Sequence, residues 1–211
     1  MRLIAVIGSS PGVGKSTLCR ALAKSLDGSV DHFEEPEILT RQAFRPVAEE
    51  FGDGAGAVRP ATIVACTRAF VAESVAAGHE YVVADALLPY IPSLVAWGHD
   101  ESALTAIMDD LARAVAPAEV TVVYVHDDPE QALRRAIARE GEGWIDWYVG
   151  KLADQPGTRN VRDFDSAVAH LRAEAGLTRR LLARTGWRVV PVDVAGLGPD
   201  EVFAQVKRDL G

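Results

Sequence analysis

The sequence predicts an α/β protein in which a parallel sheet of five strands is doubly wound by helices. Three observations predict it. Short, wholly apolar runs such as Leu3 to Ile7 lack the alternation of a half-exposed strand and suit strands buried on both faces. These runs alternate with longer segments of helical period. A chain of 211 residues, 48% hydrophobic and 25% charged, can bury a core without disulfide or metal support.

Leu3 to Ile7 is the first strand. Thr17 to Leu26 is a helix with Leu18, Leu22 and Leu26 on one face. Asp27-Gly28 turns the chain into a weak second strand, Ser29 to Phe33. Leu39 to Phe51 has helical character, and Gly52-Asp53-Gly54-Ala55-Gly56 is expected to be a mobile loop. Pro60 opens a helix closed by Gly78, with Ile63, Phe70, Val71 and Val75 as its apolar face. Glu80 to Ala84 is the third strand, and Pro89 and Pro92 interrupt the segment after it. Asp100 caps a helix that carries Leu104, Ile107, Met108, Leu111 and Val115 on one side. Glu119 to Val125 is the fourth strand. Asp128-Pro129-Glu130 then gives cap, first-turn proline and first-turn acid to another helix. Trp144 to Val161 reads as irregular. Phe164 to Arg184 is a long helix that could break at Gly176. Trp187 to Val192 is the fifth strand, and Pro199 and Asp200 start the last helix. No repeat or low-complexity linker divides residues 1–211, so one domain is expected.

Composition excludes several classes. Thirty acidic against 22 basic side chains give a net charge of −8, which argues against a protein that wraps a nucleic acid polymer. A local basic pocket for a small anion is compatible with it. Cys19 and Cys66 are too few and too far apart for a disulfide framework or zinc site, and read as two buried thiols in a reducing compartment. No run of 18 apolar residues occurs, so no membrane span is expected. Met1 to Ile7 is too short for a signal sequence before Gly8-Ser9-Ser10-Pro11-Gly12 breaks it, and the cytoplasm is the expected compartment. The five His show no metal-ligand spacing.

The informative segment is Gly8-Ser9-Ser10-Pro11-Gly12-Val13-Gly14-Lys15-Ser16-Thr17. It comes after a strand and opens a helix, the context required of a Walker A phosphate loop. Glycines let the backbone arch so that its N–H groups point inward at phosphate oxygens. The helix N-terminus adds its dipole and free donors. In such a loop, Lys15 reaches the β- and γ-phosphates of ATP and the Ser16 hydroxyl faces Mg²⁺. One departure stands out: the full pattern wants glycine where Ser9 stands, and Gly8 lies one residue early. A glycine-rich turn entering a helix is the bland alternative.

With this loop and this element order, the chain resembles the P-loop small-molecule kinases, near the deoxynucleoside and nucleoside monophosphate kinases. The resemblance implies strand order 2-3-1-4-5, an acceptor-binding segment at about 34–68 and a lid at about 134–162. It implies an ATP- and Mg²⁺-dependent transfer to a small-molecule acceptor. In Phe33-Glu34-Glu35-Pro36, Glu35 matches the Glu-Pro whose carboxylate serves as general base; a solvated acidic turn is the alternative. Asp85, ending Val82-Val83-Ala84-Asp85, resembles a Walker B acid that holds Mg²⁺, and could instead be the base or a helix cap. It is followed by Ala86-Leu87, where deoxynucleoside kinases carry Arg-Ser. Arg135 and Arg139 lie four apart on the helix leading into the lid, where arginines clamp the transferring phosphate; pairing with Glu130 and Glu140 is the alternative. Arg41 and Arg45 could bind an acceptor phosphate or lie on a solvated face. Trp144, Trp147 and Tyr148 read as core rather than as a substrate wall. The long apolar helices could support a homodimer.

A nucleotide-driven switch acting on a protein partner is the competing class. A GTPase is disfavoured, because no Asn/Thr-Lys-x-Asp motif occurs and Leu88 stands where a glycine would follow Asp85. A sugar, a cofactor precursor or an antibiotic are the other acceptors compatible with the loop.

Overall fold

The computed structural model describes residues 1–211, the side chain of Ala55 excepted. Five strands form one sheet: β1 (Arg2–Gly8), β2 (Val30–Phe33), β3 (Tyr81–Asp85), β4 (Glu119–His126) and β5 (Arg188–Asp193), in the order β2-β3-β1-β4-β5. Every pairing is parallel, so each connection crosses a face of the sheet. The helices are α1 (Lys15–Ser25), α2 (Arg45–Phe51), α3 (Pro60–Ala76), α4 (Ile91–Ala96), α5 (Glu101–Ala114), α6 (Pro129–Glu140), α7 (Gly143–Ala153), α8 (Phe164–Leu182) and α9 (Pro199–Leu210).

Alternate side chains of β1 enter different cores, which is why its sequence is apolar without a break. Ile4 and Val6 pack with Leu18 and Leu22 of α1 and Val202 and Val206 of α9. Leu3, Ala5 and Ile7 face the other layer, with Phe70 and Val71 of α3, Leu104 and Leu111 of α5, and Leu181 and Leu182 of α8. Phe33, Phe44 and Phe70 form an aromatic knot there, with ring centroids 5.2–5.8 Å apart. A third cluster, Leu133, Val161, Ala167, Val168 and Leu171, joins α6 to α8.

The caps behave as their chemistry predicts. Asp100 accepts from the Ala103 amide at 2.8 Å, and Asp128 accepts from Glu130 and Gln131 at 3.0 and 3.2 Å. Four expectations change. Residues 39–51 hold only a short helix, α2, after two 3-10 turns at Glu35–Leu39 and Gln42–Phe44. Pro92 does not interrupt the chain but lies in the first turn of α4, where its missing N–H costs nothing. The stretch from Trp144 is helical as α7, although none of its residues is fully buried. Gly176 leaves α8 unbroken, because one interior glycine costs only about 1 kcal/mol against alanine.

The sheet order reverses about β1, whose neighbours are β3 on one side and β4 on the other. In an open parallel sheet, the crevice at the carboxyl ends beside such a reversal is where ligands bind. Gly8 and Asp85, the last residues of β1 and β3, lie at those ends.

Candidate functional site

The loop after β1 is fixed from both flanks. The Ser9 amide donates to the Val125 carbonyl of β4 at 2.9 Å, and the Val13 side chain is buried in the α1 core. Two glycines take left-handed backbone, Gly12 with φ 85° and Gly14 with φ 89°. Gly12 also lies hard against α6: a β-carbon there would fall 2.2 Å from the Ala132 carbonyl oxygen. At Gly8 a β-carbon would meet Val13 Cγ2 at 2.7 Å. The tightest glycine of this loop is therefore Gly12, Gly8 meets only a side-chain methyl, and a side chain is tolerated at Ser9. The Ser9 and Ser10 hydroxyls are buried without a hydrogen-bond partner, while Ser16 and Thr17 are exposed and Pro11 half-buried.

Gly14 is the N-cap of α1, with no capping side chain and no acid in the first turn. The first amides of α1 therefore lack both an intrahelical acceptor and a local anion. Free donors at the positive end of a helix dipole are a site for an anion such as phosphate.

Lys15 reaches across this mouth to two carboxylates. Its Nζ lies 2.6 Å from Asp85 Oδ1 and 2.8 Å from Glu35 Oε2. Asp85 is held by β3, whose register places it beside Val6 of β1, and the following Ala86 amide donates to the Val6 carbonyl at 3.0 Å. Its side chain is only 6% exposed, whereas that of Glu35, on the turn after β2, is 63% exposed. Burial alone lowers the pKa of the Lys15 ammonium. The negative charges of Glu35 and Asp85 and their hydrogen bonds outweigh that and hold it above its ordinary value. Cys19, one turn further along α1, has its thiol pushed up to about 12 by burial and by the Asp85 charge. Its sulfur lies 3.7 Å from His32 Nε2.

The two arginines expected in a lid, Arg135 and Arg139, differ. Arg135 Nε approaches the Gly12 carbonyl at 3.4 Å, and its Nη2 lies 2.6 Å from Asp127 Oδ2 in an ion pair without hydrogen-bond alignment. Arg139, one turn later, pairs with its neighbour Glu140 at 2.7 Å and does not reach the loop. Sequence reasoning missed Asp127, which sits just beyond β4; its one signal was an acid directly before the Asp128 cap.

Arg41 and Arg45, the candidates for holding an acceptor phosphate, are engaged elsewhere. Arg41 forks onto Asp31 with bonds of 2.8 and 2.6 Å and donates to Glu37 at 3.0 Å. Its guanidinium also lies 5.3 and 5.4 Å from the ring centroids of Phe33 and Phe70. Arg45 pairs with Glu49, and Arg59 with Glu50. Of the three aromatics on α7, Trp144 stacks on Tyr148 at 5.0 Å against the third core cluster. Trp147 is 57% exposed and is not core.

Among the described residues, no group of three or more His, Cys, Asp or Glu side chains is placed to hold a metal ion. A cation at this mouth would use Asp85 and Ser16 together with oxygens brought by a ligand. No helix among the described residues is long and apolar enough to cross a membrane.

No protein-family model matches the chain, and no curated protein matches it. Among solved structures, it is similar to deoxyadenosine kinase from M. mycoides with bound dATP. The identity is 16% over 100% of this chain and 99% of that one, with a TM-score of 0.54. The YorR protein of Bacillus subtilis, in complex with phosphorylated GDP, aligns at 16% identity over 99% of this chain and 95% of that one, with a TM-score of 0.49. The first likeness, with the strand order and the helices on both faces, shows the fold of the P-loop kinases.

Proposed function

We propose that this chain is an ATP-dependent kinase that moves the γ-phosphate to a hydroxyl of a small acceptor of nucleoside type. The observation that carries the reading is the meeting of Lys15, Glu35 and Asp85 at the uncapped N-terminus of α1. Phosphoryl transfer needs a cradle for the phosphates, a cation near the transferring group and a group to take the acceptor's proton. The loop from Ser9 to Thr17 supplies the cradle through its free amides, those of Ser9, spent on Val125, and of Pro11, which has no N–H, excepted, and Lys15 supplies the cation. Glu35 is the general base: it is exposed and belongs to the acceptor segment, whereas Asp85 is buried under Lys15. In the step, the acceptor oxygen bonds to the γ-phosphorus, the bond from that phosphorus to the β–γ bridging oxygen breaks, and its electron pair leaves on ADP. The acceptor proton passes to the Glu35 carboxylate. Arg135, already against the loop, is the lid arginine nearer the phosphates.

Two carboxylates facing one ammonium leave a net negative charge where polyphosphate must enter. That excess supports Mg²⁺ as the neutralising partner, held by Asp85 and Ser16, where it would offset the charge of the phosphate oxygens. The acceptor side supports an unphosphorylated substrate, because Arg41, Arg45 and Arg59 are all committed to carboxylates.

Transfer from γ-labelled ATP to pooled nucleosides, nucleoside monophosphates, sugars and hydroxylated natural products tests this. Label is expected in the nucleoside pool and not in the monophosphate pool. Lys15→Ala should cut the rate by at least about a hundredfold with the fold intact, in line with losing a preorganised transition-state contact. Normal turnover in that variant would overturn the assignment of the loop. Slow phosphate release in every pool would favour a nucleotide-driven switch instead.

A further inference from the structure

We infer that Lys15 restrains the catalytic base until the donor nucleotide arrives, so that ATP binds before the acceptor can be activated. The inference rests on the kinase reading and concerns the regulation of that same site. Its basis is that Lys15 occupies both carboxylates at once, at 2.6 and 2.8 Å. An ammonium has three donors and no acceptor. With two of them on Asp85 and Glu35, the Glu35 Oε2 atom faces a cation instead of an acceptor hydroxyl. While the ammonium holds that oxygen, the carboxylate is fixed towards Lys15 and not towards an acceptor hydroxyl.

The two arms of this clamp are unequal. Asp85 is almost wholly buried, and removing its counter-charge would strand a carboxylate in low dielectric. Glu35 is mostly exposed, so its pairing with Lys15 is the weaker arm. Phosphate oxygens arriving in the loop compete for the Lys15 donors and draw them first from Glu35. The base is then released by the same event that positions the phosphate. Acceptor reaching the site before the donor meets a base that is already paired, so premature complexes are unproductive.

This makes Glu35 an antagonist of donor binding as well as the base. An exposed pair of this kind corresponds to at most about a fivefold change in an equilibrium constant. The affinity of a non-hydrolysable ATP analogue with Mg²⁺ can be measured by calorimetry for the native chain, Glu35→Gln and Glu34→Gln. Glu34 is next in sequence and carries the same charge, but its contact is Arg20 at 3.6 Å. Glu35→Gln is expected to bind the analogue about two- to fivefold more tightly, and Glu34→Gln to match the native chain. Unchanged or weaker binding by Glu35→Gln overturns the restraint. Equal tightening by both variants also overturns it, since general charge removal would then account for the effect. No binding by the folded native chain would defeat the kinase reading itself, and that outcome is distinct from the other two.

Discussion

The loop after β1 and the segment after β2, the proposed phosphate and acceptor sides of the crevice, are built from different materials. From Gly8 to Thr17 the site is backbone: left-handed glycines, free amides and one long cation. From Glu34 to Arg68 it is side chain, and its charges are largely spent on one another. Arg41 answers Asp31 and Glu37, Arg45 answers Glu49, and Arg59 answers Glu50. A backbone cradle depends on the chain's path, and so on glycine wherever that path turns left-handed or runs hard against a neighbour. A side-chain wall depends on every partner, and its shape can be retuned without moving the sheet.

The contrast can be broken most forcefully at Gly12. Gly12→Ala would place a methyl group 2.2 Å from the Ala132 carbonyl on a left-handed backbone. Loss of measurable nucleotide binding and about 2–4 kcal/mol of stability are expected. Gly14→Ala has the same backbone strain but open space around it, and should cost only about 1–2 kcal/mol. Calorimetry and chemical denaturation of the pair would test whether path, rather than residue identity, governs the cradle. Equal effects would show that strain alone matters.

Next in size is Arg41→Ala. It should lower the denaturation midpoint by the equivalent of about 2 kcal/mol, less than the 3–5 kcal/mol of broken, fully buried pairs. The discount reflects the 26% exposure of the Arg41 side chain. Nucleotide affinity should stay unchanged, because the Arg41–Asp31 pair braces the segment after β2 and not the loop after β1. A variant that keeps its midpoint and loses nucleotide affinity would blur the division between the two sides.

The smallest effect concerns Glu50. The Arg59 side chain, the Arg59 amide and the Thr62 hydroxyl all donate to it, holding its carboxyl at about 2 against an ordinary 4.5. Since the folded-state value is the lower one, this contribution is present above about pH 4.5 and is lost as pH falls towards 2. Glu50→Gln should flatten the acid limb of the stability profile in that window and leave stability near neutral pH slightly reduced. An unchanged acid limb would remove Glu50 from the wall's supports.

The same contrast explains what the sequence could show. The strands, the Asp100 and Asp128 caps and the loop from Gly8 to Thr17 were legible because local rules of period, capping and glycine spacing determine them. The strand order was legible only through the kinase resemblance. The bond between Arg41 and Asp31 was not legible, since it joins β2 to a turn ten residues on, with no periodicity linking them. Asp127 was hidden beside a cap that explained its neighbour. Pro92 misled because proline breaks a helix interior but suits a first turn, and one residue decides which. Glu35 and Asp85 were each visible as acids after strands. Their shared hold on Lys15 was not, because it depends on β2 and β3 being neighbours in space.

The chemistry of the two thiols has a practical corollary. Cys19 and Cys66 are both buried, and burial raises the pKa of both. At neutral pH neither offers the thiolate that alkylating dyes require. The native chain should therefore stay dark to maleimide probes, and a single cysteine introduced at exposed Trp147 would be the sole handle on α7. A fluorophore there would report whether α7 moves when nucleotide is added, with no background cysteine to remove first.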